Sequence, residues 1–339
     1  MKPRQRVTIS DVARHAGVAK SSVSRALNGS GEQNPETARR IKEAARELGY
    51  VPAATAQSLA KGRTGTIGLL IPNTMWWPWT LRVMQGVVEA VEEAGLLVTL
   101  VTAGVDEESQ RMLSRRIVGA GAVDGLVAVL PPGMLGYLEA IDAEGVHVAL
   151  VDEGELRPGF PSVRADNRGG AAAAVTHLTA LTQGKVALIA GDTQLTYVQE
   201  RIGGYADGLA ATGRIVDDTL VAHTEMSIDG GREAMDRLLA AHPDLTGVFC
   251  TFDELAVGAL QALVASGRRV PEDVAVVGYD DSELAKATHP GLTSVRQPLR
   301  EMGAAAAGMV LAWLAGRKLD DDQVLPTSLV VRGSAPHPS

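Results

Sequence analysis

Cysteine is almost absent from this 339-residue sequence: Cys250 is the single one, so no internal disulfide can form. Disulfide frameworks stabilise many small secreted domains and are rare in the cytosol. The sequence also lacks a run of about 18 apolar residues, which a membrane-spanning helix requires. Its basic amino terminus is not followed by the apolar segment of a secretion signal. We therefore predict a cytoplasmic protein with no membrane partner.

Aromatic residues make up only 4% of the chain and charged residues 21%, whereas 45% of the residues are hydrophobic. This is the composition of a globular protein, and it excludes an intrinsically disordered or fibrous chain. The length suffices for two or three domains of roughly 100–200 residues each.

Acidic residues are scarce at the amino terminus, although the whole chain carries a net charge of −8. Residues 1–63 contain 12 Lys and Arg against 5 Asp and Glu, and the remaining residues are strongly acidic. A polyanion would therefore attract the first segment and be repelled by the rest. We call residues 1–62 the head and residues 63–333 the body.

Three short helices are predicted in the head. Thr8 and Asp11 have the spacing of an amino-terminal helix cap, and Gly17 marks the end of that helix. Apolar spacing predicts a second helix that ends at Asn28 and a third that begins at Pro35. Two short helices joined by a glycine turn are typical of the helix-turn-helix, whose second helix enters the major groove of DNA.

The second helix carries side chains suited to DNA. Lysine and arginine can donate to guanine N7 and O6, so the predicted base readers are Lys20, Ser21 and Arg25. Short hydroxyl and amide side chains suit phosphate oxygens, and those available are Thr8, Ser22, Ser24 and Asn28. The alternative interpretation is a solvated helix surface that binds no DNA.

The runs VTISDVARHAGVAKSSVSRALN and ETARRIKEAARELGYVPAATAQSLAKG resemble the head and hinge of the lactose/galactose repressor family of bacterial transcription regulators. The resemblance implies a helix-turn-helix domain over residues 1–52 and a hinge helix over residues 53–62. It also implies that Leu59 enters the minor groove at the operator centre, where an apolar wedge kinks the duplex. Alternatively, Leu59 packs the hinge against the body.

Apolar runs alternate with helical patterns in the body, which predicts an α/β fold of parallel sheets covered by helices. The runs are TIGLLIP, LVTLV, GLVAVL, VHVALVD, VALIAGD, VFCTF and VAVVGYD. This series resembles the two-lobed, periplasmic-binding-protein-like body of the same family. The resemblance implies a lobe one of about 63–162 and 292–323, and a lobe two of about 163–291 and 324–333. Residues 334–339 are predicted to form a loose tail.

Ligands of open parallel sheets bind beyond the carboxyl ends of the strands. The loop after the first strand contains three of the four tryptophans of the chain. An indole ring stacks well on the apolar face of a pyranose, so we predict effector contacts from Trp76, Trp77 and Trp79. We also predict a contact from Asn73 in the same loop. The alternative is that these rings cap a lobe or lie in a subunit interface.

Further effector residues follow from the resemblance. Arg201 matches the family arginine that reaches the effector, Asp280 matches its acidic partner, and Asp152 is the last residue of the VALVD run. An arginine and a carboxylate together suit vicinal hydroxyls, although a structural salt bridge is the alternative. Phe252-Asp253 stands where the family usually has Asn-Asp. This departure places an aromatic face in the site and favours a disaccharide or oligosaccharide over a monosaccharide.

These features predict a DNA-binding transcription regulator, a repressor of sugar-utilisation genes that a mono- or oligosaccharide effector releases from a palindromic operator. A palindrome requires two heads related by a two-fold axis, so a homodimer is expected. No catalytic set, cofactor or metal site is predicted. The alternatives are a corepressor-dependent regulator that responds to a non-sugar metabolite, a sugar-active α/β enzyme, and a solute-binding protein of a transporter.

Overall fold

The computed structural model describes residues 7–28, 34–50, 63–72, 78–104, 106–117, 121–129, 135–151, 160–317 and 322–338. The described residues of the head contain three helices: Ile9–Ala16 (α1), Lys20–Asn28 (α2) and Pro35–Glu47 (α3). Thr8 and Asp11 cap α1 reciprocally, since each side chain accepts a hydrogen bond from the backbone N–H of the other. Gly17 ends α1 with a φ of 63°, a conformation that glycine adopts without steric cost. The predicted helices of the head are confirmed.

A small apolar core holds these helices together. Val12, Val23 and Ile41, one from each helix, are fully buried at its centre. At the surface, His15 Nε2 lies 2.9 Å from Glu47 Oε2 and links α1 to α3. Helix α2 is therefore held by its apolar side, and its opposite side faces outward.

In the described part of the body the strands form two six-stranded sheets. The strands of sheet one are Thr66–Pro72 (β1), Leu97–Ala103 (β2), Gly125–Val129 (β3), His147–Val151 (β4), Ser162–Ala165 (β5) and Gln323–Leu325 (β11). Those of sheet two are Lys185–Ala190 (β6), Val221–His223 (β7), Leu245–Cys250 (β8), Ala275–Asp280 (β9), Thr293–Arg296 (β10) and Ser328–Val330 (β12). The strand orders are β11-β5-β4-β3-β1-β2 and β12-β10-β9-β8-β6-β7.

Helices follow most strands of the body, as the alternating pattern predicts. They are Pro78–Glu93 (α4), Glu107–Ile117 (α5), Leu135–Ala143 (α6), Asn167–Leu181 (α7), Thr196–Ala210 (α8), Ile228–Ala241 (α9), Asp253–Ala265 (α10), Glu283–Ala287 (α11) and Leu299–Leu314 (α12). Sheet two is buried on both faces, because Ala187 and Ile189 of β6 enter one apolar cluster and Val186 and Leu188 enter another. None of these helices is long and apolar enough to span a lipid bilayer.

The chain crosses between the two sheets three times, after β5, after β10 and after β11. We call these segments the first, second and third crossing. The resemblance implies lobe boundaries at 162/163, 291/292 and 323/324. Each lies a few residues before the crossing that the structure shows. Strand β5 still pairs with β4 of sheet one, and β10 still pairs with β9 of sheet two.

The expectation of a loose tail at residues 334–339 is wrong for its first two residues. Ser334 and Ala335 are fully buried. The Ser334 hydroxyl accepts a hydrogen bond from Thr293 N and donates to Val276 O, at 2.8 and 2.7 Å. Ala335 O accepts from the Thr293 hydroxyl at 3.0 Å. These buried bonds anchor the end of the chain to lobe two.

Candidate effector site and DNA-reading helix

The outward side of α2 carries the three predicted base readers. Lys20, Ser21 and Arg25 are exposed, whereas Val23 between them is fully buried. Arg25 Nε donates to Ser21 O within the helix, at 3.4 Å. This arrangement leaves the cationic groups accessible to a polyanion, and their contacts with bases stay a prediction.

The predicted phosphate contacts lie around the same helix. Ser22 and Ser24 are half-buried, and Asn28 is the last residue of α2. The Thr8 hydroxyl already donates to Asp11 Oδ2 at 2.7 Å in the α1 cap, so its first role is structural. Leu59 and the whole hinge lie outside the described residues.

Arg201, on α8, is a buried cation with several protein partners. Its exposed fraction is 1%. Its Nε donates to Asn167 Oδ1 at 3.0 Å and its Nη1 donates to Thr251 O at 2.7 Å. Its Nη2 lies 3.4 Å from Asp280 Oδ1, so the family arginine and its acidic partner do lie together. Because a buried guanidinium needs such partners, its position is strictly set.

Aromatic rings surround this guanidinium. The Arg201 Cζ atom lies 3.7 Å from the ring centre of Tyr279, 5.0 Å from that of Phe252 and 5.3 Å from that of Tyr197. Phe252 and Tyr197 contact each other edge to face, with centres 6.3 Å apart. Cation–π attraction in a dry site adds to the hydrogen bonds that hold the arginine. Phe252 thus contributes an aromatic wall beside Arg201.

Asp280 ends β9 in a strained conformation, with a φ of 106° that non-glycine residues rarely adopt. Its Oδ1 accepts from Gln297 Nε2 at 2.7 Å. Burial raises the pKa of this carboxyl well above its usual range, and the nearby Arg201 guanidinium opposes that shift. The carboxyl group therefore lies beside a cation, and 13% of the Asp280 side chain is exposed to solvent.

Asp253, at the first turn of α10, is fully buried. Its Oδ1 accepts from the Ser294 hydroxyl at 2.6 Å and its Oδ2 from Ser282 N at 2.7 Å. Burial raises its pKa to about 6, although these hydrogen bonds pull in the opposite direction. Both oxygens have protein partners, so Asp253 joins the segment after β9 to β10, and its predicted contact with an effector stays untested.

Among the effector contacts predicted in the aromatic loop of lobe one, Trp79 lies within the described residues. It is on α4, half-buried against the apolar core of lobe one. The other predicted contacts, Asn73, Trp76, Trp77 and Asp152, lie outside the described residues. Their contribution to an effector site stays a prediction.

Sequence reasoning missed four residues that surround and orient the Arg201–Asp280 pair: Asn167, Tyr197, Tyr279 and Gln297. Asn167 and Gln297 follow the carboxyl ends of β5 and β10, and each forms a hydrogen bond with one member of the pair. Those strands read SVRA and TSVR, and their polar residues conceal them from a search for apolar runs. Tyr279 immediately precedes Asp280, and Tyr197 lies one helical turn before Arg201.

The groups around Arg201 and Asp280 are of the kinds that recognise a polar ligand. They offer a planar donor fork, a carboxylate and aromatic faces, which together match a polyhydroxylated ring. Cys250 is fully buried, and burial raises the pKa of its thiol, which makes it unreactive. Within the described part of the chain, no three His, Cys, Asp or Glu side chains cluster as a metal site.

Known proteins share this architecture. Residues 8–53 match the bacterial regulatory proteins of the lacI family, and residues 175–335 match the periplasmic binding protein-like domain. The transcriptional regulator CelR of Thermobifida fusca is 36% identical over 98% of this chain and all of its own length. MalR of Streptomyces coelicolor is 32% identical over 96% of each chain.

Solved structures of transcription regulators are also similar to this chain. A CelR–cellobiose complex is 35% identical, covers 97% of this chain and 100% of its own, and has a TM-score of 0.71. A Lac repressor dimer bound to operator and an anti-inducer is 26% identical, covers 98% of this chain and 100% of its own, and has a TM-score of 0.84. The chain is therefore a DNA-binding transcription regulator and belongs to the LacI family.

Proposed function

We propose that this regulator represses sugar-utilisation genes as a homodimer on a palindromic operator, and that a β-linked glucose disaccharide of the cellobiose type releases it. The observation that carries the effector is the buried Arg201–Asp280 pair with its aromatic surround. Vicinal hydroxyls can accept from the guanidinium and donate to the carboxylate, while a pyranose face stacks on a ring.

The relatives support a disaccharide in particular. CelR is similar to this chain along its whole length, and its solved complex contains cellobiose. Phe252 favours the same ligand class, because it offers an aromatic face where the family usually offers an amide. The Lac repressor, which resembles this chain in fold, binds its operator as a dimer. A dimer would place two copies of α2 in successive major grooves.

Thermal unfolding with a panel of sugars tests the effector. The panel contains cellobiose, maltose, lactose, glucose and ribose, each tested with and without operator DNA. A ligand at 100 times its Kd adds about 2.7 kcal/mol to the stability, so a true effector shifts the transition visibly. Stabilisation by cellobiose together with loss of operator binding supports the proposal.

Other outcomes separate the alternatives. If a sugar tightens operator binding, this chain is a corepressor-dependent regulator. If no sugar shifts the transition, the carbohydrate effector is rejected, and nucleosides and phosphorylated metabolites are tested next. Turnover of any sugar would instead indicate an enzyme.

The hinge has its own test. Leu59→Ala removes the side chain that we propose to insert at the operator centre. We expect weaker operator binding and less DNA bending, measured by gel shift with circularly permuted fragments. Unchanged affinity together with unchanged bending would reject the wedge.

A further inference from the structure

Two side-chain amides attach the Arg201–Asp280 pair to the first and second crossings. Asn167 follows the first crossing and is 2% exposed. Its Oδ1 accepts from Arg201 Nε at 3.0 Å, and its Nδ2 donates to Ala165 O at 3.3 Å. Ala165 is the last residue of β5 in lobe one, so one amide joins the arginine of lobe two to a strand of lobe one.

Gln297 occupies the equivalent place in the second crossing, between β10 and α12. Its Nε2 donates to Asp280 Oδ1 at 2.7 Å. The residue is 8% exposed, and its Oε1 is buried without a hydrogen-bond partner. An unsatisfied buried carbonyl costs free energy, so this amide gains a bond if its surroundings rearrange.

The Asp280 carboxylate is bound more closely to the crossing than to the arginine. The distance from Oδ1 to Gln297 Nε2 is 2.7 Å, whereas that to Arg201 Nη2 is 3.4 Å. A hydroxyl that enters between Arg201 and Asp280 therefore meets a carboxyl group that is already bonded to the second crossing. The third crossing is tied to the first, because the Thr327 hydroxyl donates to Asp166 O at 3.3 Å.

The second crossing also leads toward the head. Helix α12 begins two residues after Gln297 and ends at Leu314. Leu314 O accepts from Arg63 Nη2 at 2.7 Å, and Arg63 is the first described residue after the hinge. One helix thus spans the distance from the amide that holds Asp280 to the residue that follows the hinge.

We propose that Asn167 and Gln297 are positioning residues that convert effector binding into a change in the relative orientation of the lobes. This inference rests on the proposed function, in which the effector binds at Arg201 and Asp280. The amides transmit the signal because they bond both the effector-binding pair and the segments that set the angle between the lobes. Removing either amide uncouples operator release from effector binding.

The test compares two equilibria in the full-length protein. Isothermal titration gives the Kd for cellobiose, and fluorescence anisotropy gives the operator Kd with and without saturating cellobiose. Gln297→Met keeps the side-chain volume and removes the amide. We expect its cellobiose Kd to stay within about threefold of wild type, while a coupling of about 100-fold in wild type falls below about tenfold.

Two further variants complete the design. Gln199→Met removes an exposed glutamine on α8 whose amide bonds Thr193 O, outside the Arg201–Asp280 pair, and it should couple like wild type. Asn167→Ser tests the first crossing and reproduces the uncoupling, so the conclusion does not depend on one variant folding well.

The outcomes are distinct. Preserved cellobiose binding with lost coupling supports the proposal. Parallel loss of binding and coupling makes Gln297 and Asn167 simple ligand contacts and overturns it, as does unchanged coupling in both variants. A wild-type protein that does not respond to cellobiose overturns the proposed function itself, and the coupling proposal with it.

Discussion

The head and the body use charge in opposite ways. Lys20 and Arg25 of the head are exposed, whereas Arg201 of the body is 1% exposed and has hydrogen-bond, ion-pair and aromatic partners. Exposed cations bind a polyanion through long-range attraction that salt screens. Buried groups bind a neutral ligand through fixed geometry, which salt hardly affects. The two recognition tasks of this regulator should therefore respond to different solution conditions and to different mutations.

The largest effect is expected at Arg201. Arg201→Met keeps an apolar stem and leaves Asp280 buried without its cation. We expect the free energy of unfolding to fall by about 3–5 kcal/mol and the response to sugar to disappear. Urea denaturation measures the first and thermal unfolding with cellobiose the second.

The matched control is Arg168→Met. Arg168 pairs with Asp207 between α7 and α8, but both side chains are largely exposed. Exposed pairs contribute up to about 1 kcal/mol, so the loss of stability should be much smaller than in Arg201→Met. Equal losses in the two variants would break the contrast between buried and exposed charge.

The second effect is a pH dependence of the body caused by Asp253. Its pKa is raised from 3.8 to about 6 in the native chain. The native state therefore binds more protons than the unfolded state between these values, and this carboxyl's contribution to stability declines as pH rises through them. Asp253→Asn lacks the group. The stability of the variant relative to wild type should rise by about 2 kcal/mol from pH 4 to pH 7.

Urea titrations at several pH values measure this difference in stability. The raised pKa of Asp280 also makes stability decline as pH rises, but it does so in both proteins and cancels in the difference. A constant difference across the range would mean that Asp253 ionises in the native chain as it does in the unfolded one.

The third effect concerns the end of the chain. Ser334→Ala removes a hydroxyl that bonds Thr293 N and Val276 O inside lobe two. Two buried backbone groups lose a partner, so we expect a loss of about 2 kcal/mol in urea denaturation. Truncation after residue 335 serves as the control, and it should change stability little because Pro336, His337 and Pro338 are exposed.

The smallest effects are expected in the head. Lys20→Ala and Arg25→Ala should each weaken operator binding roughly tenfold and relax the preference for particular bases, whereas Ser24→Ala should weaken binding to all sequences alike. Gel shifts on operator variants at two salt concentrations separate these outcomes. A uniform loss from all three would reject Lys20 and Arg25 as base readers, while effector binding by the body should stay unchanged throughout.

Sequence patterns predicted the parts of this fold that rely on apolar periodicity and on capping. The α1 cap at Thr8 and Asp11 and the long apolar strands were recognisable because local chemistry determines them. The short strands β5 and β10 could not be recognised from local patterns, because their polar residues are held in place by strands that lie far away in the sequence. Asn167 and Gln297 were overlooked for the same reason. Arg201 and Asp280 could be named from family likeness, but not the aromatic rings that enclose them.

The strand order has a consequence for biosynthesis. Strands β11 and β12 are the last two strands in the described residues, and each forms one edge of a different sheet. Translation therefore completes the head early, whereas neither lobe can close until residues 323–330 have left the ribosome. A nonsense mutation before residue 323 would release a polypeptide with an intact DNA-binding domain, in which β5 and β10 have lost the strands that cover their edges. Open edges promote aggregation, so we expect such truncated products to be found in inclusion bodies or degraded rather than bound to the chromosome.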